Sequence, residues 1–69
     1  MTEYEAFEKK ALDVVRMITD TPAAFTNGTL FVTTSDSKLS VRILTALEAV
    51  MNCGICFGPV GQETYYDFV

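Results

Sequence analysis

Apolar side chains return at three- and four-residue steps along the first part of the chain. Tyr4, Phe7, Ala11, Val14, Val15 and Ile18 share one stripe, while Glu5, Glu8, Lys9, Asp13 and Arg16 fill the other positions, which predicts an amphipathic helix over residues 3–19. Thr2 followed three residues later by Glu5 fits a capping box. Glu3, Glu5 and Glu8 set negative charge near the positive end of the helix dipole. Asp20-Thr21-Pro22 ends the helix, because the residue before a proline is driven out of helical geometry.

The pattern then changes period. Residues 20–28 read as a connection closed by an Asn27-Gly28 turn. Thr29-Leu30-Phe31-Val32-Thr33-Thr34 is dense in β-branched and aromatic residues and too short for an independent helix, so it predicts a strand. Ser35-Asp36-Ser37 supplies candidate N-caps for a second helix over about residues 37–52. Its apolar stripe is Leu39, Ile43, Leu47 and Val50 with Leu44 and Met51 beside them, and Lys38, Arg42, Thr45 and Glu48 lie towards water. Gly54 is the expected stop, since glycine accepts the left-handed conformation that closes many helices. The remainder reads as a hairpin: Ile55-Cys56-Phe57, a Gly58-Pro59-Val60-Gly61 turn, and a last strand from Glu63 to Phe68.

The predicted order is helix, strand, helix, strand, strand, a single α+β domain over residues 1–69 with no repeat or low-complexity tract. A right-handed crossover makes the first two strands parallel, and the last pairs antiparallel with its hairpin partner. The expected fold is two helices packed on one face of a three-stranded mixed sheet. Alternation puts Leu30, Val32, Ile55, Phe57, Tyr66 and Phe68 under the helices. Phe31, Thr33, Cys56, Tyr65, Asp67 and Val69 fall on the opposite face, a set too apolar for ordinary solvent surface and too polar for core.

Composition sharpens this. A chain of 69 residues hides only about 60 % of its unfolded surface when folding alone, yet 49 % of its residues are hydrophobic. The surplus fits an interface, and a homodimer through the open face or a sheet edge satisfies both observations. Nine acidic and five basic side chains give a net charge of −4, whose field repels phosphate backbones and argues against nucleic acid. No stretch has the roughly 18 apolar residues that span a bilayer. Met1-Thr2-Glu3-Tyr4-Glu5 is acidic where a secretory signal is basic and then apolar, which points to the cytoplasm.

Candidate chemistry is sparse. There is no histidine or tryptophan, and none of the four glycines forms a phosphate-cradling cluster. Cys53-Gly54-Ile55-Cys56 is the one local pattern that names a chemistry. It follows the second helix, whereas an attacking dithiol cysteine sits at a helix N-terminus, and as a zinc site it offers two of the usual four ligands unless a second subunit completes the set. Two small buried side chains is the plainer expectation. Lys38 and Arg42, one turn apart at the start of the second helix, form a small basic patch open to an anion or an acidic partner. Phe31 and Tyr65 resemble a base-stacking platform only in outline, because Asp67 stands where such platforms carry cations. Asp67, between Tyr66 and Phe68, is the carboxylate expected to feel apolar surroundings and the one candidate acid or base. The terminal Tyr66-Asp67-Phe68-Val69 has the form that strand-adding domains capture by a free carboxylate, unless it packs as the last strand.

These features predict a small non-enzymatic accessory or regulatory protein, needing no cofactor or metal and acting by binding another protein, in one form an inhibitor seated on a basic surface. The expected partner-binding residues are Phe31, Thr33, Tyr65 and Asp67, with Lys38 and Arg42 as a secondary site. The alternatives are a dithiol redox or metal-binding protein using Cys53 and Cys56, and a small-molecule sensor with its ligand between two subunits.

Overall fold

The computed structural model describes residues 2–69; Met1 lies outside them. The first helix, α1, spans Glu3–Ile18, and its capping box is formed: the Glu5 amide donates to Thr2 Oγ1 at 3.1 Å and the Thr2 amide to Glu5 Oε1 at 3.4 Å. The second, α2, spans Ser37–Met51. Asp36 is its N-cap and accepts from the Lys38 and Leu39 amides at 2.9 and 3.2 Å. It closes at Asn52, which takes the left-handed conformation (φ 54°) that the sequence pattern assigns to Gly54. Asparagine tolerates that region, so the left-handed stop falls at Asn52, two residues before Gly54, which is left to extended chain.

Four strands follow where three are expected: β1 Ala23–Thr26, β2 Thr29–Val32, β3 Ile55–Val60 and β4 Glu63–Phe68. They form one sheet in the order β1-β2-β4-β3, with every neighbouring pair antiparallel, so the three-stranded mixed arrangement is corrected. The expected connection contains β1. Asn27 (φ 52°) and Gly28 (φ 83°) are the two-residue loop joining β1 to β2, and positive φ at both positions is the type I′ pattern that matches strand twist. At Gly28 a Cβ would also meet Tyr4 Oη at 3.0 Å, so the turn is closed down against the start of α1. The expected Gly58–Gly61 turn is corrected as well. Gly58, Pro59 and Val60 stay in β3, and the loop is Gly61-Gln62 with positive φ at its first residue only.

The last strand lies inside the sheet rather than at its edge. β2 and β3 do point the same way, as the crossover rule requires, but β4 is inserted between them. Proline supplies the reason. Antiparallel partners alternate between hydrogen-bonded and non-bonded pairs, and the Val69 amide donates to the Gly54 carbonyl at 3.0 Å. Counting from that pair, Cys56, Gly58 and Val60 bond to β4, while Ile55, Phe57 and Pro59 turn their backbone groups outward. A proline missing its donor is accommodated only at such an edge position.

The core lies between the sheet and the two helices: Ala11, Val14 and Val15 from α1, Ile43 and Leu47 from α2, Leu30 and Val32 from β2, and Tyr66 from β4 are buried. Phe68 is half-buried between Phe7 (centroids 5.1 Å, edge to face) and Phe25 (5.9 Å, stacked), which ties β1 to α1. The stripe on α2 is rotated from expectation: Ser40 is buried and Val50 is 43 % exposed. Phe57, expected beneath the helices, is 37 % exposed at the β3 edge, though its ring stacks on Tyr66 at 5.9 Å. Among the described residues, no helix is long and apolar enough to cross a membrane.

Candidate functional site

Both helices lie on one side of the sheet, and among the described residues its other face carries no covering element. Residues directly opposite one another on paired strands share a face, so the register reads out that surface row by row. Ala24, Phe31, Tyr65 and Gly58 form the central row across all four strands. Thr26, Thr29, Asp67 and Cys56 form the row on one side of it, and Thr33, Glu63 and Val60 lie on the other. Leu30 and Val32 make the ladder bonds from β2 to β4, which leaves Phe31 and Tyr65 a non-bonded pair, the geometry that brings cross-strand side chains closest. Tyr65 leans over Gly58, where a Cβ would stand 3.1 Å from its ring. Glycine at that edge position gives the Tyr65 ring a bed of backbone, and Phe31 and Tyr65 are both half-buried.

The structure thus brings Phe31, Thr33, Tyr65 and Asp67 onto one surface. Thr33 sits just past the end of β2, donating to Glu63 Oε2 at 3.5 Å, and Thr29 Oγ1 donates to Asp67 Oδ1 at 2.5 Å. Asp67 is exposed, so the apolar surroundings expected for it are corrected; its side chain faces the open layer, away from its apolar neighbours Tyr66 and Phe68. Between Phe31 and the β1 edge lies a groove of about 320 Å³ lined chiefly by Pro22, Ala24, Thr26, Thr33 and Glu63. The two carboxylates on this face have no lysine or arginine on their strands, because the five lysines and arginines all belong to helices: Lys9, Lys10 and Arg16 to α1, Lys38 and Arg42 to α2.

Lys38 and Arg42 are exposed on the helical layer, apart from the open-face set. The amides of Lys38 and Leu39, which an anion at the start of α2 needs, are already occupied by the Asp36 carboxylate. Beside them, an apolar cleft of about 330 Å³ lies between α2 and β3, walled by Ser37, Val41, Phe57 and Pro59. The cysteines are not the buried pair expected: Cys53 is half-buried between Asn52 and β3, and Cys56 is exposed on the open face opposite Asp67. Both are free thiols. Among the described residues, no group of three or more histidine, cysteine, aspartate or glutamate side chains is placed to hold a metal ion. Tyr66, Asp67 and Phe68 are built into the interior strand β4, and the Val69 amide donates to the Gly54 carbonyl, so this segment is paired rather than free.

A buried hydroxyl network escapes the sequence pattern. Ser40 Oγ and Thr64 Oγ1 meet at 3.0 Å, Ser40 Oγ donates to the Asp36 carbonyl at 2.9 Å, and Thr64 Oγ1 lies 3.0 Å from the Thr34 carbonyl. Tyr66 Oη donates to the Ser40 carbonyl at 2.9 Å. Burial raises the Tyr66 phenol above its ordinary pKa of about 10. Every member is satisfied, and the network locks α2 to the sheet at the floor of the cleft, which Ser40 and Thr64 also line. Its signal was spacing, since Ser40 precedes Ile43 by three residues and Leu47 by seven. Comparison with protein-family models, with curated proteins and with solved structures finds no match.

Proposed function

We propose that this chain is a small accessory or regulatory module that binds a basic surface of another protein through the open face of its sheet and catalyses no reaction. One observation carries the reading: the Phe31–Tyr65 row, flanked by Glu63 and Asp67, on a face without a single side-chain cation. An aromatic centre within an anionic rim is the layout of a protein-binding patch, with rings supplying contact area and rim charges setting partner choice and encounter rate. The same charges weigh against stacking this face on a second copy, which would crowd four carboxylates together without counter-charge.

The test is a titration of wild-type protein into a labelled synthetic peptide of alternating lysine and leucine, read by fluorescence anisotropy. Binding is expected to weaken as salt rises. Tyr65→Ala is expected to weaken it about thirtyfold, as loss of a central aromatic contact worth about 2 kcal/mol requires. A Glu63→Gln/Asp67→Asn double variant is expected to remove the salt dependence. Equal binding by wild type and both variants overturns the proposal.

A further inference from the structure

One end of the open-face groove holds a half-buried carboxylate with no lysine or arginine on any strand of its sheet. Of the nine aspartates and glutamates only Glu8 and Glu63 are drawn partly out of water, and Glu8 lies beside the Tyr4 hydroxyl. Glu63 receives the neutral Thr33 hydroxyl, at 3.5 Å. Partial burial costs a carboxylate hydration, which a charge-assisted bond from a cation restores. The groove, about 320 Å³, crosses three rows of the face: Pro22, Thr33 and Glu63 at one end, Ala24 and Phe31 in the middle, Thr26 at the other. Ala24 leaves the depression, because a methyl group stands where its row neighbour carries a ring.

We propose, resting on the open-face reading above, that this groove seats one arginine side chain of the basic partner, its guanidinium between the Phe31 ring and the Glu63 carboxylate. Neighbouring rows on one face of a sheet stand about 7 Å apart along the strands. One guanidinium therefore reaches both groups, lying within about 6 Å of the ring centroid while it donates to the carboxylate. Its apolar stem lies over Ala24 and Pro22, and the donors that Glu63 does not take face Thr33 and water on the open side. Lysine fits the same groove less well. Its ammonium is a compact, strongly hydrated point charge that neither stacks flat on a ring nor gives a carboxylate two parallel bonds. The net charge of −4 draws either cation to the protein, and the groove decides between them.

Two probes of equal charge test this: Nα-acetyl-arginine amide and Nα-acetyl-lysine amide, each titrated into ¹⁵N-labelled protein. The arginine probe is expected to shift the Ala24, Phe31, Thr33 and Glu63 amides saturably and to bind about tenfold more tightly than the lysine probe. Ala24→Leu fills the groove from an exposed position, and Glu63→Gln removes the charge while keeping the shape. Neither residue belongs to the core, and each variant is expected to stay folded and to lose the preference for arginine. Equal binding of the two probes, a preference that survives both variants, or shifts centred away from the groove overturns the proposal. The lysine-leucine peptide separates this outcome from the wider reading. If the peptide binds the open face and the arginine probe does not, the groove assignment falls and the open-face reading stands. If the arginine probe seats as expected and the peptide does not bind, the groove stands and the wider reading falls. Binding by neither overturns both.

Discussion

Tyr66 does two jobs with one side chain: its ring fills the middle of the core, and its hydroxyl bonds the Ser40 carbonyl on α2. The raised pKa gives the bond a pH signature. In the unfolded chain the phenol ionises first, so between the unfolded and folded pKa values the native state holds the extra proton and stability falls as pH rises. Denaturant melts are expected to give constant stability from pH 7 to about 9 and a decline above pH 10, reduced in Tyr66→Phe. The exposed Tyr4 is raised in the same direction, by desolvation and then by Glu8, and adds to the decline. Gly28 offers a second test at this scale. Gly28→Ala forces a left-handed alanine against Tyr4 Oη and is expected to cost about 1–2 kcal/mol in chemical denaturation. Phe31, Thr33, Tyr65 and Asp67 could be put on one face from period-two alternation alone. The exposure of Asp67 and Cys56 could not, because alternation names a face and the covering layer decides whether it is wet.

At the scale of elements, both helices were legible in their stripes and caps, and three strands in their β-branched and aromatic runs. The missed strand had a signal. Asn27-Gly28 flanked by Phe25-Thr26 and Thr29-Leu30 is a strong hairpin mark, but Ala23 and Ala24 have low strand propensity and Pro22 reads as a break. Its partner β2 supplies what propensity lacks. Pro59 reads in sequence as part of a turn, yet a proline within a strand confines that strand to an edge, and this alone places β4 inside. Pro59→Val is a sharp test. It restores an outward donor on the β3 edge while leaving the ladder to β4 intact, so the expected outcome is a folded protein that self-associates more strongly than wild type, seen as mass rising with concentration. A variant that stays at wild-type size contradicts the edge assignment.

The whole molecule is two layers with unlike surfaces. All lysines and arginines lie on the helical side, while the sheet turns aromatic rings, threonines and two carboxylates outward. The sequence pattern reached the semi-apolar face but not the segregation of charge, which appears only when the register assembles residues from four strands into rows. The measurement that tests this most directly is a ¹H–¹⁵N shift map of the protein titrated with the lysine-leucine peptide. Shifts concentrated on Phe31, Thr33, Glu63, Tyr65 and Asp67, with α1 unmoved, are the expected result. Shifts centred on Glu3, Glu5 and Glu8 of α1, with the sheet silent, would show that charge alone draws the peptide and would contradict the open face as the binding surface.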